Sequence, residues 1–334
     1  MSEAIRSVPA FAARPTARDW SRHAALFLLT ALTAAWAHMA LLAADVPEPD
    51  VASPAGALDY LLYVPKYYAA WLWSVATFAV SHPSLFADGA KFAASLLSIL
   101  LAHEAGHYVA CRLYGVNATL PFFIPMPPPF MAGTLGAFIK IRSPIPSRRA
   151  LFDIGVAGPI AGFVVVIPVA LLGLLTAAPA PPPEPGAVLL LFNDPPLLRL
   201  LALPLGMGDT SGIQLNPFLA AAWFGLLVTS LNLLPVGQLD GGHATYALFG
   251  ARAHSLIGRA AFLSMLVLAP LGWLWHGVPS GFLYVALLFI MLRIRHPEAA
   301  DESDQLGRAR TIVAILTLLV FALSFTPFPL TFQG

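Results

Sequence analysis

Two histidines and a glutamate lie together in an apolar stretch, at His103-Glu104-Ala105-Gly106-His107. Residues four apart share one face of a helix, so His103 and His107 can bind one metal ion while Glu104 lies beside them. Zinc accepts imidazole nitrogen, and a neighbouring carboxylate can take a proton from water on zinc. The alternative is that these side chains only make polar contacts between packed helices. Because a charged group inside a membrane helix costs about 2.5–3.5 kcal/mol, we favour metal binding.

A catalytic zinc site needs a third protein ligand and one open position. The candidates are Asp240 and His243. Both lie in the run from Asn232 to His243, which contains several helix-breaking residues. We expect Asp240 to lie on non-helical backbone, at the same depth as the two histidines. We favour it because two glycines follow it and let an oxygen ligand bend inward, and His243 remains the alternative. The later glutamates lie in polar loops, which excludes them: Glu184, Glu298 and Glu302.

The composition indicates a polytopic membrane protein. The chain has 334 residues, of which 58% are hydrophobic and only 10% charged, and its mean hydropathy is +0.76. A soluble domain of this length carries about 25% charged residues. The net charge is +1 and no basic cluster with interleaved aromatics occurs, so we expect no nucleic-acid partner. The single cysteine, Cys111, excludes an internal disulfide and a thiolate zinc site.

The order of apolar and charged segments predicts an all-α polytopic membrane protein with about six transmembrane helices. We divide it into a cytoplasmic tail (1–23), a first transmembrane helix (24–44) and an external loop with an interfacial aromatic segment (45–87). A membrane-embedded core (88–300) follows, and then a cytoplasmic loop with a last transmembrane helix (301–334). Within the core we expect further helices after the histidine-bearing one: 151–175, 216–234, 256–275 and 282–292. Residues 60–80 are ambiguous, and we place them at the outer interface or as a re-entrant segment. A spanning helix there would put the basic residues after His107 outside.

Residues 116–147 differ in character from the helices around them. Two short runs, 116–120 and 137–141, have strand-like composition and flank a proline-rich loop. Gly133 and Gly136 permit bulges or a close backbone approach. We predict a small β-hairpin or sheet, inserted after the zinc-binding helix and directed toward the site. The alternative is a solvated cytoplasmic loop.

Together, His103-Glu104-x-x-His107 and Asn232-x-x-Pro235-x-x-x-Leu239-Asp240-Gly241 resemble the motifs of the site-2 protease family of membrane-embedded zinc metalloproteases. The stretches 133–144 and 152–162 resemble the branch found in plastids and many bacteria. The resemblance covers roughly residues 88–300, which would then be the metalloprotease core. It implies one catalytic zinc ion on the two histidines and the aspartate, with the glutamate as general base. It also implies that the amide of Asn232 steadies the oxyanion.

Three functions are compatible with these features. The resemblance implies an intramembrane protease that cleaves transmembrane helices of membrane-protein substrates in the lipid bilayer. We expect that bilayer to be a bacterial cytoplasmic membrane. A non-catalytic zinc-binding scaffold or chaperone is the alternative, although it has no need of Glu104. A carrier is disfavoured because no second, symmetric half with a broken helix occurs. The sequence shows no PDZ insertion after the β segment and leaves the substrate and the oligomeric state open. As a further hypothesis, substrate adds as a strand along 133–141, with Gly133, Gly136 and Ala137 as binding residues.

Overall fold

The structure is a computed structural model in which nine helices and four short strands are described. It describes residues 14–42, 46–56, 58–128, 130–180, 189–207, 210, 212–294, 296, 300–301 and 303–333. The helices are α1 Ala17–Leu42, α2 Asp59–Ser81, α3 Pro83–Leu113, α4 Arg148–Leu175, α5 Pro196–Ala202, α6 Pro217–Asn232, α7 Asp240–His276, α8 Phe282–Arg293 and α9 Gly307–Ser324. The strands are β1 Phe122–Pro125, β2 Thr134–Phe138, β3 Leu189–Phe192 and β4 Leu330–Gln333. The predicted fold class, a helical polytopic protein with a small β-hairpin, is confirmed.

Five described helices are long and apolar enough to cross a membrane: α1, α3, α4, α7 and α9. The segment expected at 216–234 is α6, which is apolar but has only 16 residues. The ambiguous segment 60–80 lies within α2, a continuous helix of 23 residues that is not among those five. Its amino-terminal half is exposed, which is compatible with the interfacial placement, and that placement stays a prediction.

Helix α7 starts much earlier than we expected. The sequence predicted a helix over 256–275, whereas the helix runs from Asp240 to His276. Gly250 interrupts it with φ 79° and ψ 174°, a conformation that a residue with a side chain adopts only under strain. The long helix therefore consists of two segments joined at a kink, and the first of them carries Asp240 at its amino-terminal end.

The β-hairpin after α3 lies against α1. β1 pairs with β2 in antiparallel register, and a bridge between Ala118 and Ile141 extends the pairing toward the base of the hairpin. The Thr33 hydroxyl of α1 donates to the carbonyl oxygen of Gly133 at 2.7 Å, near the turn of the hairpin. At the base, the Phe27 ring of α1 meets the Phe123 ring edge-on at 4.9 Å. The segment is thus a hairpin packed on a helix, as predicted, and not a solvated loop. Its strands, however, lie nearer the turn than the predicted runs 116–120 and 137–141.

Helix α9 is connected to the start of α4 by a charged contact. The guanidinium of Arg310 donates to both carboxylate oxygens of Asp153, at 2.9 and 2.7 Å. The hydroxyl of Tyr114, just after α3, donates to the same carboxylate. This network ties three helices together at one end of the molecule. At another place β3 pairs with β4, a sheet that the sequence did not predict.

Candidate metal centre

Helix α3 supplies the first three polar groups of the site. His103 and His107 lie one turn apart, and their Nε2 atoms are 3.1 Å from each other. Both histidines and Glu104 are buried, with at most 7% of each residue exposed. One carboxylate oxygen of Glu104 lies 4.0 Å from Nε2 of His103. The helical spacing therefore brings the three side chains together as the sequence predicted.

Asp240 joins the two histidines from the first turn of α7. Its Oδ2 atom lies 3.2 Å from Nε2 of His103 and 3.3 Å from Nε2 of His107. The expectation that Asp240 lies on non-helical backbone is wrong, because it is the first residue of the helix. The two glycines that follow do not break the helix. A methyl group on Gly242 would lie 2.5 Å from the carbonyl oxygen of Gly237, so the glycines let the preceding turn fold closely over the helix start.

The three side chains fit a zinc ion. Zinc–nitrogen and zinc–oxygen bonds of roughly 2.0–2.2 Å at tetrahedral angles separate neighbouring ligand atoms by about 3.3 Å. The three separations in the triad, 3.1, 3.2 and 3.3 Å, are close to that value. Among the described residues, the three form the one group of histidine, cysteine and acidic side chains with metal-binding geometry. Two imidazoles and one carboxylate also match the donors of known catalytic zinc sites.

His243, the alternative third ligand, lies in a different group. Its Nδ1 atom is 2.7 Å from Nε2 of His296, whose ring stacks on that of Tyr246 at 4.2 Å. His243 does line the same cavity as Asp240. Its ring, however, is engaged with His296, on the segment after α8. The geometry favours Asp240 as the third ligand.

Contacts around the triad fix the orientation of His107. Its Nδ1 atom lies 2.7 Å from the carbonyl oxygen of Ile154 in α4. A carbonyl oxygen can only accept, so Nδ1 carries the proton and Nε2 offers its lone pair to a metal. Sequence reasoning missed this partner, because a backbone carbonyl leaves no residue-type signal.

Glycines in α4 make room for both imidazoles. A methyl group at Gly158 would collide with the His107 ring, and one at Gly162 would lie 3.1 Å from Cβ of His103. No signal in the sequence indicated that the neighbours of these glycines would be the candidate metal ligands. Helix α4 thus forms the wall behind the site.

Two further polar groups approach the triad. The side-chain amide of Asn232, the last residue of α6, lies 3.4 Å from Nε2 of His103. The backbone N–H of Ile139 is directed toward the Glu104 carboxylate. Ile139 lies just after β2, so the end of the hairpin lines the same cavity as the carboxylate. No residue-type signal pointed to this arrangement.

A cavity of about 830 Å³ opens onto the triad. Its lining includes the segment from Ala137 to Ile141, and also Asn232 and Gln238. Of the three residues proposed to bind substrate, Ala137 lines the cavity. Gly133 does not, since it lies against the backbone of Thr33 in α1, and Gly136 is not among the lining residues either.

One edge of the β2 segment faces this cavity. The N–H of Thr119 donates to the carbonyl oxygen of Lys140 at 3.0 Å, so Lys140 directs its backbone groups into the hairpin. Successive strand residues direct their backbone groups to opposite edges. Ile139 and Ala137 therefore direct theirs to the outer edge. The N–H of Ile139 is directed toward Glu104, and the same alternation places the N–H of Ala137 on that edge.

Comparison with known proteins agrees with this geometry. The sequence profile of peptidase family M50 matches residues 91–269. The chain belongs to peptidase family M50. The match spans the candidate triad, Glu104, the hairpin and Asn232, whereas α1, α8 and α9 lie outside it. No solved structure matches the chain at a significant level.

Three curated relatives are called probable zinc metalloproteases, chloroplastic. The chain is 28% identical to EGY2 of Arabidopsis thaliana over 263 residues, which are 77% of this chain and 45% of that protein. It is 32% identical to EGY1 of Oryza sativa subsp. japonica, over 70% of this chain and 39% of that protein. It is 31% identical to EGY1 of Arabidopsis thaliana, over 72% and 44%. The chain thus spans less than half the length of the relatives it matches.

Proposed function

We propose that this chain is an intramembrane zinc metalloprotease, which hydrolyses peptide bonds within or near transmembrane helices. The observation that carries the proposal is the triad of His103, His107 and Asp240, with separations of 3.1–3.3 Å, beside the buried carboxylate of Glu104. Helices α3 and α7, which carry these residues, are both able to cross a membrane. The relatives are named as probable zinc metalloproteases, which supports the same activity.

The chemistry follows from the donors and their neighbours. A zinc ion held by the triad would act as a Lewis acid that polarises a carbonyl and lowers the pKa of a water molecule. Glu104 is the group placed to take a proton from that water and to pass it to the leaving amine. The Asn232 amide, on the α6 side of the cavity, can donate to the oxygen that gains charge. The His107 ring is held in the required tautomer by Ile154.

Removal of the metal tests the activity. Purified protein in liposomes should cleave a model transmembrane substrate, lose cleavage on treatment with a zinc chelator, and regain it when zinc is restored. Mass spectrometry of the products should place the cut within or next to the membrane-spanning segment. Cleavage that survives complete removal of zinc would contradict the proposal.

Substrate is proposed to bind as a strand along the outer edge of β2. A transmembrane helix hides its peptide bonds in its own hydrogen bonds, and freed backbone groups in the bilayer cost several kcal/mol each. An exposed strand edge can accept them by β-augmentation. Ala137, whose N–H lies on that edge, is the central residue of this proposal, with Gly136 beside it. Gly133 keeps a role in docking the hairpin on α1 and is no longer a direct contact.

A proline at position 137 tests strand addition. Ala137→Pro removes the N–H on the outer edge and should lower cleavage by at least tenfold, because one backbone hydrogen bond and the fit of the strand are lost. Ala137→Val keeps that N–H and serves as the matched control. Zinc content and melting temperature should be the same in both variants. Equal cleavage by the two variants would rule strand addition out.

We propose that the protein lies in either a bacterial cytoplasmic membrane or a plastid membrane. The five helices support a multi-pass membrane protein. The bacterial cytoplasmic membrane expected from the sequence has a rival in the plastid membrane, since the relatives are named as chloroplastic. Immunoblots of fractionated source membranes decide between the two, and a signal in the soluble fraction alone would exclude both.

A further inference from the structure

A second cavity, of about 370 Å³, lies between α1 and α6. Its walls are almost entirely apolar, and they include Phe92 of α3, Trp223 and Leu227 of α6, and Ala132 just before β2. Phe92 precedes His103 by 11 residues on α3, so the second cavity lies about 16 Å from the triad along that helix. It is therefore separate from the metal centre but within the length of one substrate helix.

The one histidine in the wall of this cavity is His38. Only 1% of this residue is exposed, and its ring stacks on Phe92 with centroids 4.5 Å apart. Neither ring nitrogen has a hydrogen-bond partner within the part of the chain that the structure describes. A buried polar group without a hydrogen-bond partner destabilises the folded protein. Such a group next to an apolar cavity points to a ligand that brings the missing hydrogen bond.

The same two elements border both cavities. Helix α6 ends at Asn232 beside the triad, and Leu227, about 7.5 Å earlier along that helix, lines the second cavity. On the other side, Ala132 lines the second cavity, and Ala137, five residues later on the hairpin, lines the metal cavity. A chain segment bound beside β2 would therefore continue directly between Ala132 and Leu227.

We propose that the second cavity is a specificity subsite for the transmembrane segment of the substrate, and that His38 binds a polar group on it. This rests on the proposed function. The occupant is an apolar segment with one hydrogen-bonding side chain, such as asparagine, glutamine, serine or threonine. A distance of about 16 Å corresponds to about five extended residues or about eleven helical residues. The polar residue therefore lies five to eleven residues from the scissile bond. It lies on the part of the substrate that runs from the metal centre toward the amino-terminal end of α3.

Paired substrates test this subsite. Model substrates would carry either asparagine or leucine at each position from five to eleven residues beyond the scissile bond. For wild-type protein we expect asparagine to raise kcat/KM roughly fivefold at one of these positions, as one net hydrogen bond predicts. In His38→Phe the ratio should fall to about one. His82→Phe, which changes an exposed histidine outside the cavity, should keep the wild-type ratio.

Cross-linking separates a failure of the subsite from a failure of the proposed activity. A photoreactive residue at position 227 in a Glu104→Gln background should cross-link the substrate, and one at the exposed position 263 should not. No asparagine preference, or a preference that survives in His38→Phe, would overturn the subsite while leaving proteolysis intact. If the wild type cleaves nothing, the cross-link decides alone. Labelling of lipid only, or labelling at 227 no stronger than at 263, would overturn it.

Discussion

The two cavities differ in how their polar groups are satisfied. At the metal centre, His103, His107 and Asp240 lie within 3.3 Å of one another, and His107 has a second partner in Ile154. In the second cavity, neither ring nitrogen of His38 has a hydrogen-bond partner among the residues that the structure describes. The first site is assembled by the protein itself and needs only the ion. The second is completed only from outside, which is why we assign it to the substrate.

The packing of the helices behind the two cavities differs as well. A methyl group added to a glycine of α4 should therefore have a different effect from one added to a glycine of α6. Gly158→Ala places Cβ within the volume of the His107 ring, which the carbonyl oxygen of Ile154 holds in place. The ring must rotate away, so we expect zinc affinity to fall by roughly 10–100-fold and cleavage with it. Competition with a fluorescent zinc chelator measures this.

The matched control is Gly212→Ala, where nothing lies within 4 Å of the added methyl group. It should bind zinc like the wild type. If Gly158→Ala also retains wild-type zinc affinity, the imidazole is not held by α4 as described.

Gly225→Ala is expected to have a smaller effect. This glycine lies on α6, and its added Cβ would be 3.0 Å from Cδ1 of Ile99, the end of a side chain that can move. Overpacking of about 1–3 kcal/mol is partly offset by about 1 kcal/mol from the better helix propensity of alanine. We expect a melting temperature lowered by a few degrees and unchanged zinc affinity, measured by thermal unfolding in detergent. Loss of zinc would show that α6 also positions the ligands.

The sequence predicted the residues of the triad for two reasons. The histidines follow a local spacing, and the third ligand had few candidates. A spacing of four brings His103 and His107 to one helix face in any helix. Asp240 was one of only two candidates for the third ligand. What the sequence did not indicate is contact between a side chain and a backbone atom far away in the sequence. The partner of His107 is a carbonyl oxygen of α4, and an N–H of the hairpin segment is directed toward Glu104.

The errors have physical reasons too. The sequence predicted that Gly241 and Gly242 interrupt the helix, because glycine disfavours helix interiors. In the structure they lie in the first turn of α7, where the chain folds over them too closely for any Cβ. Tertiary packing therefore overrides propensity at this position. The docking of the hairpin on α1, which moves Gly133 away from the cavity, depends on a contact 100 residues apart in sequence.

The central claim is that Glu104 acts as the base beside a zinc ion held by His103, His107 and Asp240. Glu104→Gln keeps the size of the side chain and all three ligands but removes the proton acceptor. The decisive measurement compares zinc content and cleavage of a model transmembrane substrate in this variant and in the wild type. We predict one zinc per chain in both proteins and a loss of cleavage of at least 100-fold in the variant. Cleavage at the wild-type rate by zinc-loaded Glu104→Gln would contradict the account.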